Sequence, residues 1–209
     1  HWGVAPFVAS LGVQLISYGL CLQYFNTVCN SNPLSGFTKT YSKFCQGTIR
    51  IGNISLSYLM FYAIAVVAVM WVIWNRTTLG KNMFAIGGNR EAAKVCGVNV
   101  KRTIIIVYII AGLLYAFGGV LEAGRTGSAN STMGADYAMD AIAACVIGGV
   151  SFVGGIGKIS GIVIGVIMLR LIFVALPLVG MDQNLQYAIK GGIILFACAL
   201  DMRKYLVKK

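Results

Sequence analysis

The chain reads as an all-α integral membrane protein, a polytopic helical bundle of about six spans of which one is short or broken. Three observations give that class. Of the 209 residues, 58% are hydrophobic and only 11% charged, where soluble domains carry about 25% charged residues. Mean hydropathy is +0.80. Six apolar runs alternate with polar stretches that collect most of the 17 lysines and arginines. A net charge of +11 would suggest nucleic acid in a soluble protein. Cations that fall mostly in loops and at span ends instead report orientation, so membrane lipid and no nucleic acid is expected as partner.

The first span runs from Val4 to Leu22, interrupted by Ser10, Gln14 and Ser17. No charged leader precedes it, so no signal peptide is expected. Asn26 to Asn53 is polar and turn-rich, with Lys39, Lys43 and Arg50, and reads as a short lid or docking loop. Cys29 and Cys45 share that loop and can pair if it faces an oxidising compartment. Asn53-Ile54-Ser55 and Asn130-Ser131-Thr132 are sequons that chance supplies readily. The second span, Leu56 to Trp74, ends on Trp71, Trp74 and Arg76, rings and a cation suited to a membrane interface. Thr103 to Leu121 is the third.

Glu122 to Asp140 is polar and holds three of the six acids. Asp136 and Asp140, four apart, read as helix-start acids and not as a catalytic dyad, since nothing buries them as a pair with divergent pKa values. Ala141 to Val153 supplies only a short apolar run, which either crosses or re-enters, since irregular backbone is tolerated at membrane depth where protein buries it. A glycine-rich break, Gly154 to Lys158, follows. The next span is Ile159 to Leu176, closed by Pro177, and Gly157, Gly161 and Gly165 recur every four residues, as a close helix packing face would. The last run, Leu185 to Leu200, leads into a basic tail of Arg203, Lys204, Lys208 and Lys209.

Two cations fall inside spans. Arg170 is mid-span, where a charge costs about 2.5 to 3.5 kcal/mol on insertion scales, so it should face the bundle interior or water. It either lines a path or pairs with an acid or with carbonyls. Lys190, near the start of its run, is expected to snorkel or to pair with an acid such as Asp182.

The long stretch Leu79 to Arg102 is a soluble loop with Lys81, Arg90, Lys94, Lys101 and Arg102 against one acid, Glu91. Such a cationic loop belongs on the cytoplasmic side. With it inside, and Ala141 to Val153 counted as a crossing, Lys158 and the C-terminal tail also lie inside. Asn89 is placed to cap a helix starting at Arg90, Glu91 sits in its first turn, Lys94 near its end, and Gly97 suits the left-handed residue that stops it. The resulting two turns are marginal alone in water. Their small residues, Ala92, Ala93, Val95 and Cys96, let another surface come close.

Gly87 to Val98, GGNREAAKVCGV, resembles the cytoplasmic coupling segment of sugar permeases in bacterial ATP-binding-cassette importers, with Arg90 where that family often has proline. Tyr115 to Ala129, Tyr137 to Gly161 and Ile189 to Tyr205 are similar to the C-terminal half of the monosaccharide permeases, so the resemblance covers nearly all of the chain. Arg170 lies outside the pattern that carries it. Family members have further spans upstream, which implies that residues 1–209 form a single permease domain that is a C-terminal fragment of the working subunit.

The resemblance implies a bacterial inner-membrane, multi-pass subunit, with its C-terminus cytoplasmic, that moves a galactose or methyl-galactoside type of monosaccharide inward by alternating access; ribose or xylose is the alternative. The implied partners are a cytoplasmic ATPase, which binds ATP-Mg, a periplasmic sugar-binding protein and a second permease copy. Coupling falls to Gly88, Asn89, Glu91, Ala92, Ala93, Lys94, Gly97 and Val98. The chain itself has no G-x-x-x-x-G-K-[ST] phosphate loop, and with His1 as its one histidine no metal or Ser-His site is expected. Neither enzyme activity nor a cofactor of its own is therefore expected. Gln14 and Ser17 are the pathway candidates, able to hydrogen-bond sugar hydroxyls. An ion-coupled secondary transporter, or a non-catalytic membrane scaffold, is the rival reading; against the first, the spans hold no carboxylate except at their edges.

Overall fold

The computed structural model describes residues 6–30, 32–51, 54–151 and 154–206. His1, Val4, Asn53, Val153, Lys208 and Lys209, used above, lie outside the described residues. In chain order the elements are α1 (Pro6–Val28), β1 (Leu34–Ser35), α2 (Lys39–Gln46), β2 (Thr48–Ile51), β3 (Ile54–Ser57), α3 (Tyr58–Arg76), α4 (Thr78–Gly88), α5 (Arg90–Val95), α6 (Val100–Thr126), β4 (Ser128–Ala129), α7 (Tyr137–Ile147), α8 (Ile159–Leu178) and α9 (Gln183–Leu206). Among the described residues α1, α3, α6 and α8 are long and apolar enough to cross a membrane. The sixth apolar run lies within α9. At 1.5 Å per residue α7 rises only about 16 Å, half of a hydrocarbon core about 30 Å thick. It is the broken element: Gly148 ends it and Gly149, at φ +80°, turns the chain away.

The chain divides into two compact units, residues 1–62 with 113–135, and residues 63–112 with 136–209. In the first, the stretch read as a short lid or docking loop carries a helix and strands among its described residues. Helix α2 is amphipathic and buries Cys45, and β2 pairs with β3 in a hairpin with Thr48 opposite Ser57 and Ile49 opposite Leu56. Leu34 and Ser35 pair antiparallel with Ala129 and Ser128. Helix α2 lies on the end of α6 because Gly124 has no side chain: a Cβ there would meet Cys45 Sγ at 2.2 Å. Gln46 Nε2 donates to the Gly124 carbonyl at 2.9 Å, and the Tyr41 hydroxyl donates to the Val120 carbonyl. Phe44 stacks on Tyr62 at 4.9 Å. Cys29 and Cys45 are both free thiols, Cys29 half-buried and Cys45 buried against α6 at Gly124. Gln14 and Ser17 are both exposed on α1.

In the second unit, Ala143 and Ala144 of α7 and Leu169 of α8 form a buried cluster, with Ile147 and Phe173 against it. Small residues set this seam. A Cβ on Gly165 would lie 2.1 Å from the Ala144 carbonyl oxygen, and one on Gly161 2.2 Å from that of Gly148. The expected three-glycine face needs one correction: Gly157 precedes α8, which starts at Ile159, and so is not on its surface. Its nearest contact is Val150, at 3.4 Å from a modest added Cβ. The glycine run Gly154 to Gly157 breaks the chain before the helix can start, so a four-residue period in sequence did not mean a shared helical face.

Candidate functional site: an exposed capped helix and the junction behind it

The segment expected to be a loop from Leu79 is mostly helical. Thr77 caps α4, its hydroxyl accepting from Gly80 N at 3.4 Å. Leu79, Met83 and Ile86 recur at the helical spacing i, i+4, i+7 and are half-buried, while Trp74 meets Phe84 edge-on at 5.4 Å. Gly80 is buried against Trp74, with a Cβ position 2.1 Å from its carbonyl oxygen. The helical period was present in the sequence, and Gly80, Gly87 and Gly88 obscured it.

Helix α5 is built by its caps. Asn89 Oδ1 accepts from Glu91 N and Ala92 N, both at 3.0 Å, satisfying two amides that the first turn leaves open. At the other end Gly97 N donates to the Lys94 carbonyl and Val98 N to the Ala93 carbonyl, each at 3.0 Å. With Gly97 at φ +82°, this is the Schellman arrangement. Lys94 Nζ lies 2.7 Å from Glu91 Oε1, and that hydrogen bond and charge hold the Glu91 carboxyl below its usual range. Of the small residues only Ala93 is buried; Ala92, Val95 and Cys96 face outward, Val95 at 87% exposure. Gly88, Asn89, Glu91, Lys94 and Gly97 are exposed as well, and Val98 is half-buried. Sequence reading missed Asn99, whose Oδ1 accepts from Arg102 N at 3.0 Å and starts α6 three residues earlier than the expected span. An asparagine ahead of an apolar run was the available signal.

Behind α5 the backbone of α4 meets the break between α7 and α8. A Cβ on Gly87 would lie 2.5 Å from Gly155 N, and one on Gly155 2.9 Å from Gly88 Cα. Gly154 and Gly155 both have positive φ, +103° and +73°. Backbone therefore touches backbone with no side chain between. The contact also sets Gly154 and Gly155 beside the cationic α4–α5 segment.

The two cations treated separately above have different surroundings. Lys190 of α9 pairs with Asp140 of α7 and not with Asp182: Nζ lies 2.5 Å from Oδ1, with both side chains largely buried. The approach to Oδ1 is off the direction of a well-aligned hydrogen bond, so the contact is chiefly Coulombic. Nζ also sits 5.1 Å from the Phe173 ring centroid and 5.6 Å from that of Tyr187, positions favourable for a cation. One turn earlier on α9, the Tyr187 hydroxyl donates to Asp136 Oδ2 at 3.0 Å. Asp136 is at the start of α7 but its carboxylate makes no capping bond; with Asp140 it tethers α7 to α9. Arg170 is exposed on α8 and has no ion-pair or hydrogen-bond partner among the described residues.

Long apolar helices, one half-length helix and a capped helix presented between two spans define a polytopic helical membrane protein of the permease type. The chain belongs to the family described as "Branched-chain amino acid transport system / permease component", which it matches over residues 1–198. It is 52% identical over 209 residues to the galactose/methyl galactoside import permease protein MglC of Salmonella typhimurium, covering all of this chain and 62% of that protein. Identity and coverage are the same for the Escherichia coli protein of that name. The ribose import permease protein RbsC of Bacillus subtilis is 35% identical over 201 residues, 96% of this chain and 61% of the relative. The chain thus spans about three fifths of the length of these relatives. No solved structure matches it.

Proposed function

We propose that the chain is part of the permease subunit of an ATP-binding-cassette importer that carries a galactose or methyl-galactoside type of sugar inward by alternating access. The observation that carries this is the gradient of identity, 52% to galactose/methyl galactoside import permeases against 35% to a ribose import permease, over essentially the same residues. In this reading the permease does no chemistry. ATP-Mg is bound by a cytoplasmic ATPase that docks on Asn89 to Val98, a periplasmic binding protein delivers the sugar, and a second permease copy completes the pathway. Gln14 and Ser17 of α1 offer hydrogen bonds to the sugar along it.

The orientation has a physical argument. Gly87 and Gly88 touch Gly155, which supports a reading in which Lys158, three residues further on, shares a membrane face with Lys81, Arg90, Lys94 and Lys101. A face rich in cations is the inside, so α8 leads outward and α9 returns, leaving the C-terminus cytoplasmic in the bacterial inner membrane.

The test is uptake of radiolabelled galactose by cells carrying the complete subunit with its ATPase and binding protein. Loss of uptake on ATP depletion, its persistence with a protonophore, and competition by methyl-galactoside are the expected results. Collapse with the protonophore while ATP is held constant would sink the ATP-driven reading. ATP-driven uptake of ribose in place of galactose would remove the substrate alone.

A further inference from the structure

Helix α2 has one face packed and one face open. Tyr41 and Cys45, one turn apart, lie on the end of α6: Cys45 is buried against Gly124, and the Tyr41 hydroxyl donates to the Val120 carbonyl. Lys39 and Lys43, also one turn apart, are each two positions back, roughly 200° round a helix of 3.6 residues per turn. Both are exposed. Gly47 closes the helix and leads into β2, where Arg50 is exposed as well. Tyr58 N donates to the Gly47 carbonyl at 2.9 Å, tying the β2–β3 hairpin to the end of α2, and Gln46 Nε2 holds the helix to Gly124. The three cations therefore stand on a preformed surface.

Nothing in their own unit neutralises them. Residues 1–62 with 113–135 hold four cations, Lys39, Lys43, Arg50 and Arg125, against a single acid, Glu122. Arg125 takes that acid, with Nη2 2.6 Å from Oε1. The side chains of Lys39, Lys43 and Arg50 have no ion-pair or hydrogen-bond partner among the described residues. In the orientation argued above, α3 and α6, both long enough to cross, each join the cationic α4–α5 segment to this unit, so these cations fall outside. The bias that gathers cations on the inside works against them there.

An anionic bilayer surface is the weaker occupant of this face. A helix that lies on lipid turns its apolar side into the headgroup boundary, whereas α2 turns its own onto the protein, where Cys45 is fully buried and Phe44 stacks on Tyr62. A protein surface that supplies carboxylates fits better. Unpaired charges of one sign steer the encounter with a partner of the other, and a surface already ordered loses little freedom on binding. We propose that the open face of α2, with Arg50, is the docking surface for a soluble protein with an acidic face, in the importer reading the protein that delivers the sugar. The proposal rests on that reading and adds to it the surface and the charge that recognise this partner.

The experiment uses the complete subunit with its ATPase in nanodiscs of zwitterionic lipid, and the purified binding protein. Association should slow several-fold as salt is raised from about 0.05 to about 0.5 M. Lys39→Ser/Lys43→Ser/Arg50→Ser should weaken binding by about 3- to 100-fold at low salt, the range for three exposed ion pairs, and should flatten the salt dependence, which a merely structural defect would not do. Lys39→Arg/Lys43→Arg should bind as the parent does, and assembly with the ATPase checks that each variant folds. A second arm needs no variant: a carbodiimide, which joins amines to carboxylates in contact, should link Lys39 or Lys43 to an acid of the binding protein. Affinity within about twofold of the parent in the triple variant overturns the surface, as do cross-links that avoid both lysines. So does a triple variant whose one defect is weaker retention of anionic lipid. If the unsubstituted complex neither takes up galactose nor binds the protein, the proposed function fails with this surface; uptake and binding untouched by the substitutions overturn the surface alone.

Discussion

Replacing Asn89 by alanine isolates the feature on which the docking reading depends. The side chain accepts from two amides of the first turn of α5, and loss of such a cap costs about 0.5 to 2 kcal/mol, typically about 1. Helix α5 has six residues, Arg90–Val95, and so short a helix has no reserve of propagation energy to absorb the loss. One kcal/mol corresponds to about a fivefold change in the helical population. If the ATPase selects the formed helix, its apparent affinity falls by the same factor at most. Titrating purified ATPase into membranes that hold the complete permease reads this directly. Asn89→Ala should bind up to about fivefold more weakly, while Asn89→Asp and Asn89→Ser, which keep an acceptor, should bind as the parent does. Unchanged binding and uptake in Asn89→Ala, together with unchanged binding in Ala92→Asp on the exposed face, would show that the ATPase does not dock here.

Removing one partner of the Asp140–Lys190 pair, as in Lys190→Met, should lower the stability of the detergent-solubilised subunit by about 2 kcal/mol, less than the 3 to 5 of a fully buried pair, because both side chains retain some exposure; the double variant Asp140→Leu/Lys190→Met should recover much of the loss in thermal denaturation. Gly165→Ala forces a methyl group to 2.1 Å from the Ala144 carbonyl and should cost about 1 to 3 kcal/mol, whereas Gly112→Ala on α6, with nothing within 4 Å, should be neutral or slightly stabilising by the same measurement. The Glu91 carboxyl is held low by Lys94, so the contribution of this pair to α5 is fully present above the ordinary carboxylate range and disappears as pH falls through the lowered value. An NMR titration of the Glu91 side chain should place its midpoint below that of a free glutamate, and Lys94→Met should raise it.

The spans, the caps of α5 and the left-handed Gly97 were legible because each depends on residues within about four positions of one another. An apolar run as long as a bilayer is thick shows the residues of a span in order, and Asn89 reaches the amides of Glu91 and Ala92 across two and three residues. Where glycines diluted the local signal, as in α4, the period at Leu79, Met83 and Ile86 was present and was passed over. The hairpin β2–β3 was missed for a related reason: short strands between turns leave too few residues to show alternation.

What the chain brings together over long separations was not legible. Asp140 and Lys190 lie fifty positions apart, and either could have been read as a span-edge charge; only the packing of α7 against α8 and α9 closes the pair and sets Phe173 beside it. Gly87 and Gly155 likewise looked like two unrelated loop glycines until the backbone contact showed why neither tolerates a side chain. By itself the sequence determined a polytopic helical protein with one capped helix between two of its spans, since hydropathy, chain length and capping act locally along the polymer. The tertiary structure alone decided which charges neutralise each other and which glycines touch, because those depend on distances that no spacing along the chain encodes.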